Sequence, residues 1–275
     1  MDLSIIIVNY KSKDKLANCL RSLASTDLSG IEYETVIVEN ASGDDLLDLL
    51  NLYPQVRLIN SPTNIGMGGG NNIGIRETTG EYILVANPDI VFTPDSIKKI
   101  YEYIKVTPEA AIVGPKLLNP DGSLQYSCAR FPNFFLPVLR RTRLGRYLPS
   151  VIDRYLMKST SHDEIKAVDW IMGACLLLRR GELFIDGKLF DERFFMYFED
   201  VDVCRRARVA GKKTVYYADA IVTHDHQRDS ARLPWYKAII SDKLAKEHLK
   251  SWWKYFMKWG LRSAPVLNNK HYAKD

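Results

Sequence analysis

An apolar run at 82–86 ends in Asn87-Pro88-Asp89. A carboxylate held at the end of a buried strand can bind a hard cation such as Mg²⁺ or Mn²⁺ and share it with a diphosphate. Such a cation would neutralise charge on a departing nucleoside diphosphate. The same tripeptide is also a common turn, with Asp89 capping the helix that Pro94 opens.

A second segment runs from Phe194 through Phe195, Met196, Tyr197 and Phe198 into Glu199, Asp200, Val201 and Asp202. The aromatics exclude water, and burial among them raises a carboxylate pKa toward a value useful to a general base. Acidic residues also stabilise a helix N-terminus, and Asp202 could do only that. Three acids after five bulky residues exceed what capping needs, which favours a site.

The third segment, 63–74, carries Gly66, Gly68, Gly69, Gly70 and Gly74 among Asn64, Asn71 and Asn72. Glycines allow backbone to approach a ligand closely, and amides at a helix start attract phosphate. The equal alternative is a flexible βα loop needing positive φ. No Gly-Lys-Ser/Thr follows, and the segment succeeds the third strand rather than the first, so neither a Walker loop nor a dinucleotide fingerprint is read. His224 and His226, beside Asp225, lie in a loop beyond a strand and could complete a metal site or hold a phosphate. An isolated surface histidine is the other reading of His226.

The elements that must position these residues alternate. Strand-like runs at 3–8, 33–39 and 56–60 enclose a helix with Leu16, Cys19, Leu20 and Leu23 on one face and another near 44–50. Strands apolar on both faces predict a parallel sheet covered by helices on both sides, with ligands at the strands' carboxyl ends. Further on, the patterns predict a helix from Pro94 to Val106, a strand at 111–116, a turn at 119–122, and strands at 175–179 and 214–218 separated by a helix over 199–210. Residues 131–161, with several prolines and Arg140, Arg141, Arg143 and Arg146, read as a mobile flap or linker. The pattern at 235–260 reads as one long helix.

With 275 residues, 46% hydrophobic and 26% charged, the chain fits one large α/β domain, or one domain with an appendage, and excludes disorder, collagen and coiled coil. No apolar run reaches the ~18 residues that cross a bilayer. Met1 is followed by no basic stretch or cleavage site, so no secretory signal is expected. Cys19, Cys128, Cys175 and Cys204 form no C-x-x-C pair, which suits a reducing cytoplasm rather than a zinc knuckle or disulfide framework. The net charge of +5 comes with no nucleic-acid-binding motif, so no nucleic-acid partner is expected. In the tail, Lys243, Lys246, Lys250, Lys254 and Lys258 interleave with Trp252, Trp253, Tyr255, Phe256, Met257 and Trp259. That suits a helix in an anionic membrane interface, or one packing on the catalytic domain or on a second copy as a homodimer.

Taken in order, the motifs resemble those of family 2 glycosyltransferases of the GT-A fold, particularly the bacterial rhamnosyltransferase-like branch. The resemblance rests on 4–10, 36–42, Asn64-Ile65-Gly66, 70–74, Asn87-Pro88-Asp89, 170–175, 198–202 and His224. It implies a Rossmann-like, mixed and mainly parallel sheet flanked by helices. Residues 1–230 would form the catalytic domain, 1–116 its nucleotide-binding half and 117–230 its acceptor half, with an amphipathic helical tail at 231–275.

The implied reaction is inverting transfer of a sugar from a nucleoside diphosphate donor, dTDP-L-rhamnose being favoured over UDP-hexoses and UDP-galactofuranose. The acceptor would be a saccharide, carried on a polyprenyl diphosphate in bacterial surface polysaccharide synthesis. Asn9, Tyr10, Glu39 and Asn40 would hold the nucleobase and ribose, with Asn64, Gly66, Gly70, Asn72 and Asn87 continuing toward the diphosphate. Asp89 takes the last position of the family's metal-binding Asp-x-Asp motif, whose first position here is Asn87, and His224 matches a residue that joins the metal or the diphosphate. Asp200 matches the catalytic base, while Trp170, Ala174 and Glu199 face the donor sugar and acceptor. Glu39 stands where an Asp usually contacts the base. The rival readings are a nucleotidyltransferase, which needs a Gly-rich loop with Arg and Lys after the first strand, and a noncatalytic scaffold, with no reason to keep Asp89, Asp200 and His224.

Overall fold

The computed structural model describes residues 1–136, 139, 147–225 and 243–261. The elements in the first half are β1 (Leu3–Asn9), α1 (Lys13–Ala24), β2 (Tyr33–Glu39), α2 (Leu47–Leu52), β3 (Val56–Asn60), α3 (Gly66–Arg76), β4 (Tyr82–Ala86), β5 (Ile90–Phe92), α4 (Ser96–Val106) and β6 (Ala110–Leu118). They continue as β7 (Leu124–Gln125), β8 (Cys128–Ala129), α5 (Pro149–Tyr155), β9 (Lys166–Val168), β10 (Trp170–Ile171), β11 (Cys175–Arg179), α6 (Glu199–Val209), β12 (Lys213–His224) and α7 (Lys243–Trp259).

One mixed sheet runs β3-β2-β1-β4-β11-β6-β12-β5, with β7 on β6 and β9 on β12. It is parallel from β3 to β4 and between β6 and β12; β11 enters antiparallel between β4 and β6. All seven residues of β1 are buried, as its β-branched run predicts for a central strand. Alternation divides its side chains: Leu3, Ile5 and Ile7 join a core with Leu16, Cys19, Leu20 and Leu23 of α1, while Ile6 joins one with Ile75 and the Cys204–Ala207 face of α6. Each such buried aliphatic side chain stabilises the fold by roughly 1.5–3 kcal/mol. This is the GT-A-type layering expected from the sequence.

Three expectations change. Residues 66–76 are helix, and only Gly66 among their glycines has positive φ, +80°, so the segment is not a flexible loop. The strand expected at 214–218 extends to His224, because an irregularity between Tyr217 and Ile221 lets it resume pairing with β6 and then with β5. His224 therefore ends a strand, opposite Ile90, rather than sitting in a loop. Within the segment 131–161, residues 149–155 form α5, whose Tyr155 is buried beside Ala129 and Leu136, so that part is packed rather than a flap. Arg140, Arg141, Arg143, Arg146, His226 and residues 235–242 lie outside the described residues.

Candidate active site

The ends of β1 and β2 carry one polar cluster. Asn9 is buried, and its Nδ2 donates to Asp44 Oδ2 at 2.9 Å; that hydrogen bond helps hold the Asp44 carboxyl below its usual range. Glu39 Oε1 accepts the Ser42 amide at 2.6 Å and also the Ser42 hydroxyl. Asn40 donates through Nδ2 to Asn64 Oδ1 and to the Gly66 carbonyl, both at 3.1 Å, and accepts from the Ile65 amide at 3.1 Å. The Asn40 amide donates to the Asn9 carbonyl at 2.9 Å, closing the cluster. Asn9, Glu39, Asn40, Asn64 and Gly66 are thus gathered, with Tyr10 40% exposed beyond the strand end.

The glycines of α3 serve close packing. A Cβ at Gly70 would lie 2.8 Å from Val8 Cγ1, and one at Gly74 2.5 Å from Ile6 Cγ2, so these two positions lower the helix onto β1. A Cβ at Gly66 would fall 1.9 Å from the Phe195 carbonyl oxygen, which accepts the Met67 amide at 3.0 Å. The helix start is thereby tied to the segment that precedes Glu199. Asn72 is buried and clamps the Phe190 backbone, donating to its carbonyl at 2.8 Å and accepting its amide at 3.0 Å. Its side-chain amide thus ties α3 to the segment that leads into Glu199.

Asp89 follows β4 and precedes β5, whose pairing with β12 brings His224 alongside. Asp89 Oδ1 lies 3.3 Å from His224 Nε2, and the Asp225 amide donates to the Asp89 carbonyl at 2.9 Å. His224 is buried, with Nδ1 2.6 Å from Gln125 Oε1. On the other side Lys15 Nζ lies 3.9 Å from Asp89 Oδ2 and donates to the Asp225 carbonyl at 2.6 Å. A carboxylate oxygen and an imidazole nitrogen at this separation fit two positions on one Mg²⁺ or Mn²⁺. Among the described residues no group of three or more His, Cys, Asp and Glu could hold a metal, so these two would share the ion with ligand oxygens. Asn87 donates its amide to the Ala174 carbonyl at 2.8 Å, which fixes the strand end.

Ala174 leads to the second acidic group. Neighbouring Gly173 donates its amide to Asp200 Oδ2 at 2.9 Å, and Val201 donates to Asp200 Oδ1 at 2.8 Å. A Cβ at Gly173 would lie 3.0 Å from Asp200 Cβ, so only glycine fits without displacement. Tyr197 and Phe198 both take left-handed φ, 68° and 67°, a costly turn that swings Glu199 and Asp200 inward at the start of α6. Burial raises both carboxyls; Glu199 is pushed up to about 8 by burial and then by Asp200. The Gly173 and Val201 amides oppose this at Asp200, because they favour its ionised form. Trp170 donates its indole N–H to the Arg130 carbonyl at 2.8 Å and lies against Tyr155, while the Ala174 side chain is core.

Asp202 anchors the tail. Fully buried, it accepts from Arg206 Nε at 3.0 Å, Lys258 Nζ at 2.9 Å and Trp259 Nε1 at 2.8 Å. Arg205 donates to the Tyr255 hydroxyl at 2.9 Å and stacks 4.9 Å from the Trp259 ring. Tyr255 and Phe256 are buried with Phe194, Phe198 and Val201. The aromatics expected at a membrane are therefore divided, because the inner ones complete the cover over the acidic segment. Trp253 and Met257, 55% and 69% exposed, stay on the outer face with Lys243, Lys246, Lys250 and Lys254. Among the described residues no helix is long and apolar enough to cross a membrane.

Sequence reasoning missed Asp44, Lys15 and Gln125 as parts of these clusters. Lys15 is the one with a local signal, since it sits one position before Leu16 on the first helix, next to its buried face.

Asp89 and His224 thus meet at one group of strand ends, and the half-buried Glu199 and Asp200 are joined to the same frame through Gly173 and Ala174. The profile of glycosyl transferase family 2 matches residues 4–160, and the chain belongs to that family: it is a glycosyltransferase. It is 29% identical to the N-acetylglucosaminyl-diphospho-decaprenol L-rhamnosyltransferase of Mycobacterium tuberculosis over 286 residues, 97% of this chain and 91% of that protein. It is 25% identical to the rhamnosyltransferase WbbL of Escherichia coli over 284 residues, 98% of this chain and 96% of that one. Among solved structures, GalNAc-T7 with UDP, GalNAc and Mn²⁺ superposes with a TM-score of 0.63 at 14% identity, covering 90% of this chain and 49% of that one. At that identity the likeness shows the fold alone.

Proposed function

We propose that the protein transfers L-rhamnose from dTDP-L-rhamnose, with inversion, to a saccharide on a polyprenyl diphosphate in bacterial surface polysaccharide synthesis. The observation that carries this reading is the backbone link between the two halves of the site. Asn87, in the Asp89 turn, bonds to Ala174, and Gly173 beside it bonds to Asp200. The leaving-group side and the base are thereby held in one frame, as a single in-line displacement requires. The relatives named as rhamnosyltransferases, matched over nearly all of both chains, support the sugar and the lipid-linked acceptor.

In this reading residues 1–116 bind the donor, with Asn9, Tyr10, Glu39 and Asn40 at the nucleobase and ribose and Asn64, Gly66, Gly70 and Asn87 toward the diphosphate. Asn72 keeps the 190 segment in register with α3. Asp89 and His224 hold a divalent cation, Mg²⁺ or Mn²⁺, which when bound offsets charge on the leaving diphosphate. Lys15 adds a positive charge on the same side. Asp200 takes the acceptor hydroxyl proton as that oxygen attacks the anomeric carbon and the bond to the diphosphate breaks. The Gly173 and Val201 amides keep the carboxylate aimed, while Trp170 and protonated Glu199 border the sugars. Residues 117–230 supply this acceptor half, and α7 of the tail packs over its acidic segment. The outer Lys and Trp253 face of α7 rests on anionic lipid at the cytoplasmic surface of the membrane, where the acceptor is presented.

A donor panel tests the assignment. Purified protein is incubated with dTDP-rhamnose, UDP-hexoses and UDP-galactofuranose, with and without Mn²⁺, and thermal shift and slow donor hydrolysis are scored together. At a hundredfold excess over Kd a donor stabilises the native state by about 2.7 kcal/mol. A Mn²⁺-dependent shift with dTDP-rhamnose alone is expected; a shift only with a UDP-sugar replaces rhamnose with that sugar.

A further inference from the structure

Four side chains run from the turn after β6 to the buried edge of His224. The Ser123 hydroxyl donates to Asp121 Oδ1 at 2.6 Å, and the Ser123 amide donates to the same oxygen at 2.9 Å. Asn119 Nδ2 donates to Ser123 Oγ at 2.9 Å. Gln125 Nε2 donates to Asn119 Oδ1 at 2.9 Å, and Gln125 Oε1 lies 2.6 Å from His224 Nδ1. The turn itself is closed by the Gly122 amide on the Asn119 carbonyl, with Gly122 at φ +81°.

Donor and acceptor capacities make this chain one-directional. An ionised carboxylate only accepts, and the hydroxyl of Ser123 helps to keep Asp121 ionised by holding its pKa below the usual range. The single hydroxyl hydrogen of Ser123 is therefore spent on Asp121, and the oxygen must accept from Asn119. The Asn119 amide then turns its oxygen to Gln125, and the Gln125 amide turns its oxygen to His224. Reversing either amide would set two donors or two acceptors face to face. An oxygen 2.6 Å from Nδ1 requires the hydrogen on Nδ1. A neutral imidazole carries one N–H, so its lone pair is on Nε2, the nitrogen 3.3 Å from Asp89 Oδ1.

We infer that Gln125, oriented by Asn119, Ser123 and Asp121, is the positioning residue that fixes the metal-binding tautomer of His224. The inference rests on the cation reading of Asp89 and His224 given above. The outer residues of the chain are exposed, but Gln125 is buried, so the last two links exchange little with water. Such partners of metal-binding histidines typically contribute 10–100-fold in metal affinity.

The test joins ¹⁵N NMR of the His224 side chain, at a pH where the ring is neutral, with Mn²⁺ titration calorimetry on the full chain. Wild type should show a protonated Nδ1 and an unprotonated Nε2. Gln125→Leu should mix the tautomers and weaken Mn²⁺ binding by about 10–100-fold. Gln125→Glu, whose carboxylate can only accept, should keep the hydrogen on Nδ1. If Gln125→Leu fails to fold, Ser123→Ala on the exposed turn should still show a mixed tautomer population. A proton on Nε2 in wild type, or a wild-type tautomer and affinity in Gln125→Leu, overturns the inference. Wild type that keeps Nδ1–H but binds no Mn²⁺ overturns instead the cation reading beneath it.

Discussion

Oδ1 of Asp89 lies 3.3 Å from Nε2 of His224, across the antiparallel pairing of β5 with the end of β12. Neither residue would meet the other without the irregularity that lets β12 continue past Tyr217. Chelation should therefore abolish transfer, with Mn²⁺ restoring it, and His224→Ala should weaken Mn²⁺ binding more than it weakens binding of the free nucleoside. Calorimetry with Mn²⁺ and with the nucleoside separates the two effects. Unchanged Mn²⁺ affinity in His224→Ala removes His224 from the site.

The acidic pair predicts a pH profile. Burial raises the Asp200 pKa, so kcat/KM should fall on the acid side at a pH above the ordinary carboxylate range. A profile flat down to about pH 4, the reference region for a carboxyl, would show that no raised carboxyl acts as base.

Glu199 predicts a stability slope. Burial and then Asp200 push its pKa up to about 8 in the folded protein, against about 4.3 in an unfolded chain. The native state therefore binds more protons between these values, and stability falls as pH rises through that window. Glu199→Gln should remove this fall, so its Tm advantage over wild type grows from pH 5 to pH 8. Parallel Tm curves would place the proton elsewhere.

Asp202 predicts how the tail is held. Asp202→Ala leaves Arg206 and Lys258 facing a buried space without their carboxylate, and should cost about 3–5 kcal/mol in urea unfolding. Faster proteolysis within 243–261 should accompany the loss.

Gly74 predicts a packing limit. Gly74→Val sets side-chain atoms into Ile6 beneath α3 and should destabilise by at least about 1–3 kcal/mol, whereas substitution at Gly30, which has open space around it, should act only through its φ of +79°. Equilibrium denaturation of both variants distinguishes the two causes.

The sheet was legible because its strands announce themselves. The runs 33–39, 56–60 and 175–179 coincide with β2, β3 and β11, and the apolar stripe Leu16, Cys19, Leu20 and Leu23 is the buried face of α1. The glycine segment misled because a helix built from Gly66, Gly68, Gly69 and Gly70 shows no apolar period, although its missing Cβ atoms are what let it approach β1. The end of β12 was hidden by Asp219, exposed where the pairing with β6 is irregular. Asp89 and Asp200 could be nominated from local context and the family's pattern. Gln125 could not, because its partner His224 is distant in sequence and their contact depends on β6, β7 and β12 lying together. Tail aromatics read alike in sequence, whereas the burial of Tyr255 and Phe256 and the ion pairs of Asp202 and Asp191 with Lys258 reveal which face turns inward.

The most direct test of the account is single-turnover transfer by wild type and Asp200→Asn with the lipid-linked acceptor, with donor affinity measured alongside. Asp200→Asn should bind the donor as wild type does while the transfer rate falls by about 10²–10⁴-fold, the typical contribution of a general base. Transfer at the wild-type rate by Asp200→Asn would contradict the assignment of the base and the displacement built on it.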